Sequence, residues 1–171
     1  MADDRAVRAA EATTAEFCAA GERADLAAFL ETLAADVRVR SPISFRTKFD
    51  GLDDVAPLMQ AAFDVIQEIE YFEDLGTAST RALVYRARIG GQPVEGVILV
   101  RLDERAKVRE MTLFFRPLPG LTALTARLTP LLAAQRGRAR SLMLAAMTRP
   151  VAVLTRVGDV LGVRLVQPRR R

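Results

Sequence analysis

The stretch from Glu68 to Arg116 constrains this chain most, because four strand-like runs (residues 68–75, 80–89, 94–102 and 108–116) follow one another across very short breaks. Those breaks, Gly76-Thr-Ala-Ser79, Gly90-Gly91 and Asp103-Glu-Arg-Ala106, are the length of hairpin turns. Parallel neighbours would need a crossover of roughly a dozen residues or more, so the runs predict an antiparallel meander. A meander buries one face, and the segments before and after it must supply the cover.

Upstream, Val7, Ala10, Thr14, Phe17 and Cys18 form a near-helical stripe, predicting a helix from Asp4 to Ala20 that Gly21 stops. Asp25 can cap a second helix with Leu26, Phe29, Leu30 and Leu33 on one face, closed at Asp36. Strict alternation in Val37-Arg-Val-Arg40 predicts a strand ended by Ser41-Pro42, and residues 43–49 read as a second short strand. Asp50-Gly51 turns into a third helix, capped by Asp53 or Asp54, whose buried stripe is Leu58, Ala62, Val65, Ile66 and Ile69. Beyond Leu118-Pro-Gly120, the leucines 121, 124, 128, 131 and 132 mark an amphipathic helix. Arg136-Gly-Arg-Ala-Arg140 interrupts it, and residues 142–147 and 151–165 continue as two helical pieces hinged at Pro150 before a frayed Arg169-Arg170-Arg171. The class is α+β.

Composition narrows the chemistry. The chain has 171 residues and no histidine, so a Ser-His-Asp triad, a Cys-His pair and a His-ligated zinc are excluded. A single cysteine, Cys18, excludes an internal disulfide and any paired-cysteine metal site. No cofactor or metal is expected. Charge divides the chain in two: residues 1–117 hold 15 basic and 20 acidic residues, whereas 118–171 hold ten arginines against Asp159 alone. The expected organisation is thus a domain over 1–117 and a basic amphipathic helical extension over 118–171. The acidic start and the absence of a long apolar run make a cytoplasmic location the default, with peripheral contact at the inner membrane surface as a further option.

The order helix, helix, two short strands, helix, four-stranded meander resembles the nuclear transport factor 2-like superfamily, more closely its SnoaL-like branch. The residues that carry the resemblance are the helix pair over 17–33 running into Ala35-Asp-Val-Arg-Val-Arg-Ser-Pro42, Phe49-Asp-Gly-Leu-Asp-Asp54, and Lys107-Val-Arg-Glu-Met-Thr-Leu-Phe-Phe115. It implies a curved antiparallel sheet wrapped as a cone around helices, a pocket in the cone, and a homodimer through the sheet's outer face. At the positions matching the ketosteroid isomerase tyrosine, late acid and proton-moving aspartate stand Phe17, Ile98 and Ser41, which supply neither acid nor base. The final aspartate of limonene epoxide hydrolases falls on Leu113. No catalytic residue is expected, while a cyclase needing one acid or base stays open.

The expected ligand site is an apolar cone lined by Phe17, Phe29, Ser41, Phe63, Ile98, Val100, Met111, Leu113 and Phe115, taking a small apolar, lipid- or polyketide-like molecule; the same residues could instead close the cone as core. Glu68, Glu70 and Asp74 are expected on one strand face and Glu73 on the other, as exposed decoration facing Arg86 and Arg88. Arg101-x-Asp103 reads as a solvated hairpin pair. The alternative function is an adaptor whose basic tail meets a membrane surface or other anionic partner. Nucleic acid is disfavoured because no aromatics interleave the arginines. The expectation set against it is a tail folded back over the cone mouth or a partner subunit.

Overall fold

The structure, a computed structural model, describes residues 2–134 and 137–166. Helices α1 (Ala2–Glu22) and α2 (Leu26–Glu31) lead into β1 (Leu33–Arg40) and β2 (Lys48–Asp50). Helix α3 (Leu52–Val65) precedes the meander β3 (Ile66–Gly76), β4 (Thr80–Ile89), β5 (Gln92–Leu102) and β6 (Val108–Arg116). Helices α4 (Leu118–Ala134) and α5 (Arg138–Val166) follow. The six strands form one curved, unclosed sheet in the order β2-β1-β6-β5-β4-β3. The meander is antiparallel throughout, as the hairpin-length breaks require. One pair departs from the expected antiparallel sheet: β1 runs parallel to β6. The long path through α3 and the meander provides the crossover that a parallel pair needs.

Alternation decides which face is inside. Leu83, Ile98 and Leu113 lie opposite one another across β4, β5 and β6, as do Tyr85, Gly96 and Phe115, and these rows face the helices. The outer face carries a band of Val84, Val97 and Phe114 beside Ala82, Leu99 and Thr112. A charged ladder of Glu70, Arg86, Glu95 and Arg116 borders it. Arg86 pairs with Glu70 at 2.8 Å, and Arg116 pairs with Glu95.

Several boundaries differ from the sequence reading for identifiable reasons. Helix α1 runs through Gly21 to Glu22, and the chain turns at Ala24, which takes a left-handed conformation (φ 52°). Helix α2 ends before Thr32, whose hydroxyl bonds the Phe29 carbonyl, so Leu33 opens β1 opposite Val108 and Asp36 lies within that strand. Residues 43–47 are turn and bend, and β2 is three residues long. Gly51, at φ 82°, is the N-cap of α3, while Asp53 and Asp54 occupy its first turn. Ile66 and Ile69, expected on the helix stripe, belong to β3. Helix α5 passes through Pro150 without a break. The Ala146 carbonyl that Pro150 cannot bond lies on the exposed side of the helix, open to water. Arg136 and the terminal arginines 169–171 lie outside the described residues.

Candidate functional site

The concave face of the sheet, α2, α3 and α4 enclose a cavity of about 80 Å³. Its wall is formed from every layer: Phe29 from α2, Phe63 from α3, Tyr71 from β3, Ile98 from β5, Met111 from β6 and Leu124 from α4 among them. Of the residues expected to line the cone, Phe29, Ser41, Phe63, Ile98, Met111, Leu113 and Phe115 do so. Phe17 and Val100 do not reach the wall and are completely buried in the core. Phe17 stands behind it, its ring 4.4 Å from that of Phe29 and 6.4 Å from that of Tyr71. An aromatic series thus runs Phe63, Phe29, Phe17, Tyr71, Tyr85, Phe115, with successive centroids no more than 6.4 Å apart. Such contacts fix ring orientation and give the cone a stiff wall.

The wall contains no carboxylate, ammonium, guanidinium or amide side chain; its polar side-chain atoms are the hydroxyls of Ser41, Tyr71 and Tyr85. The Ser41 oxygen accepts the Ile43 N–H at 3.1 Å, closing the turn after β1, and no side chain in the wall can take its proton. Burial pushes the Tyr71 phenol well above its ordinary value, with Cys18, Tyr85 and Glu22 adding to the effect. Burial also raises Tyr85. Both stay protonated at neutral pH and can offer a hydrogen bond, but neither can act as a base. Room for Tyr85 comes from Gly96, where a Cβ would sit 2.4 Å from the Tyr85 hydroxyl.

The charged candidates lie elsewhere. Bulges between Gln67 and Glu70 and between Tyr71 and Glu73 break the two-residue period of β3, and Glu68 is left-handed (φ 53°). Glu70 therefore faces outward to Arg86, while Asp74 turns inward, against the expectation of a shared face. Asp74 accepts the Thr14 hydroxyl at 2.5 Å and the Arg81 Nε at 2.7 Å. Arg81 itself is only 5% exposed. Glu68 lies 3.9 Å from Arg88. Arg101 approaches Glu110 at 3.7 Å, and Asp103 accepts the N–H groups of Arg105 and Lys107, the turn role expected for it.

The sequence reading left several wall residues out of the site. Leu124 and Leu128 close the cavity from α4, one helical turn apart on the apolar stripe of that helix. Tyr71 and Tyr85, which the sequence offers as phenol donors to a ligand or as rings buried with a wet hydroxyl, stand opposite each other across β3 and β4, Tyr85 by the inward alternation of β4 and Tyr71 through the bulges of β3.

Among solved structures, the chain is similar to a steroid delta-isomerase from Pseudomonas aeruginosa, with 26% identity and a TM-score of 0.67 over 74% of this chain and 93% of that one. The chain has the nuclear transport factor 2-like fold. A protein with a cystatin-like fold from Silicibacter pomeroyi is similar at 25% identity and a TM-score of 0.66, over 77% of this chain and 91% of the other. A SnoaL-like protein from Burkholderia thailandensis shares the fold at 18% identity and a TM-score of 0.52, over 64% and 96%. No family model and no curated protein matches the sequence. In the nuclear transport factor 2-like fold the cavity lies inside the cone formed by the sheet.

Proposed function

We infer that the cone binds a small apolar molecule and does not carry out the acid–base chemistry of ketosteroid isomerases or limonene epoxide hydrolases. The observation that carries this reading is the wall: around the cavity stand three hydroxyls and otherwise apolar side chains. An enolate or an attacking water needs a positioned acid and base, each typically worth about a hundredfold to ten-thousandfold in rate. Here Ser41 and Ile98 lie in the wall and Phe17 behind it, and none supplies such a group.

Volume limits the guest. The cavity of about 80 Å³ is well below the roughly 300–1,000 Å³ of pockets for drug-sized ligands. A lipid or polyketide chain does not fit it as it stands, which favours an apolar guest of a few heavy atoms. Two copies pairing through the outer sheet face complete the proposal, supported by the exposed Phe114 within an apolar band rimmed by charge. Steroid isomerisation by purified protein tests the catalytic half. The expected rate is that of the buffer alone; turnover on a standard steroid substrate, lost in Ser41→Ala, would overturn the reading.

A further inference from the structure

Helix α5 is built inside out. The side that meets α4 carries small and hydroxylated residues, Ser141, Ala145, Thr148, Ala152 and Thr155, which recur at helical spacing and are less exposed than their neighbours. The Thr155 hydroxyl meets that of Thr122 on α4 at 2.6 Å. Thr148 and Thr155 also bond carbonyls of their own helix. The large apolar residues point the other way: Leu142 is 70% exposed, Met147 64% and Leu154 72%, with Val153, Val160 and Leu161 also more than half exposed. A helix in water normally packs its large apolar face and exposes the small and polar one. The reverse arrangement, small residues between helices and large apolar ones outward, is how helices pack when their surroundings are apolar.

Charge selects the surroundings. Arg138, Arg149 and Arg156 are spaced by eleven and seven residues, whole numbers of helical turns, so they line one flank of the apolar face, and all three are exposed. No ion pair among the described residues engages them, although the Arg156 guanidinium donates to the Gln92 side-chain oxygen at 2.8 Å. The sole acid after residue 117, Asp159, is on the opposite side of the helix from Leu154 and Leu161. A second copy seated on this face would bring arginines near arginines without a carboxylate between them, which repels. An anionic bilayer supplies both an apolar layer and phosphate groups beside it. Among the described residues no helix is long and apolar enough to cross a membrane, which places α5 along the surface, where its 29 residues span about 43 Å.

We propose that the outward face of α5 docks onto an anionic membrane surface, its leucines, methionines and valines in the interface and its arginines at the phosphates. This goes beyond the cone and does not depend on what the cone binds. The test is co-sedimentation of the full chain with vesicles of phosphatidylcholine alone and with 30% phosphatidylglycerol, at low and high salt. Binding is expected to the anionic vesicles, at least tenfold stronger than to the neutral ones and weakened by salt. Leu154→Asp combined with Met147→Asp is expected to reduce it at least tenfold, and Arg149→Glu with Arg156→Glu to abolish the preference for anionic lipid. All four positions are exposed, and circular dichroism checks that the variants keep the fold. Failure to bind anionic vesicles overturns the proposal. So does self-association that Leu154→Asp abolishes in a chain that ignores vesicles, which would make a second copy the occupant.

Discussion

Asp74 and Arg81 show what a buried charge does here. Arg81 lies on the inward face of β4 with its Nη1 buried and unpartnered, so its charge depends on Asp74 at 2.7 Å and, more distantly, Glu11 at 3.7 Å. Removing one member of such a pair strands the other. Asp74→Ala is expected to cost about 3 kcal/mol or more in urea unfolding, and replacing both Asp74 and Arg81 with apolar residues of similar size much less; equal costs would contradict the pairing. Burial, with Asp74 and Glu22 nearby, pushes the Cys18 thiol from 9.0 up to about 12. The folded chain therefore holds this proton more tightly than the unfolded one. That contribution to stability is intact below pH 9 and is lost as pH climbs from about 9 towards 12. Tyr71 and Tyr85 act in the same direction, but only above pH 10. Cys18→Ala is expected to flatten the decline between pH 9 and 10 in urea titrations, and an unchanged slope would show the thiol to be uninvolved. At this scale the sequence was legible where alternation held: Ile98, Met111 and Leu113 reach the cavity wall as their periodicity required. It was illegible where depth decided. Phe17 lies one layer behind the wall because Phe29 and Tyr71 stand in front of it, and Val100 is fully buried without lining the cavity.

Among the elements, the four meander strands were the most legible, because hairpin-length breaks leave one arrangement for consecutive strands. β1 was harder to read. Its first residues, Leu33 to Asp36, carry no alternation that separates them from the end of α2, and pairing with β6 draws them into the sheet. The junction of α3 and β3 misleads similarly, since Ile66 and Ile69 fit a helical stripe as well as a strand and the bulges at Glu68 and Phe72 blur the period. Pro150 argued for a hinge, but its place on the exposed side of α5 lets the helix continue. The outer face of the sheet carries the prediction proper to this scale. Phe114 is 54% exposed within an apolar band bounded by the Glu70–Arg86–Glu95–Arg116 ladder. If two copies pair there, Phe114→Asp is expected to convert a dimer to a monomer in sedimentation velocity without loss of helix content; an unchanged mass would remove this face from consideration.

For the molecule as a whole, one fold supports two surfaces of opposite character. The cone is closed, apolar and small, its mouth covered by Leu124 and Leu128 of α4. The far side of the helical pair is open, apolar and flanked by arginines. The methionines distinguish them, since Met59 and Met111 line the cavity while Met143 and Met147 are exposed on α5. That the cone takes a small apolar guest can be read from a methyl NMR spectrum of methionine-labelled protein titrated with xenon, a small probe that dry apolar cavities accept. Saturable shifts of the Met59 and Met111 signals are expected, with Met143 and Met147 unmoved. Shifts confined to Met143 and Met147, or none that saturates at Met59 and Met111, would contradict it and leave the cone as packed core.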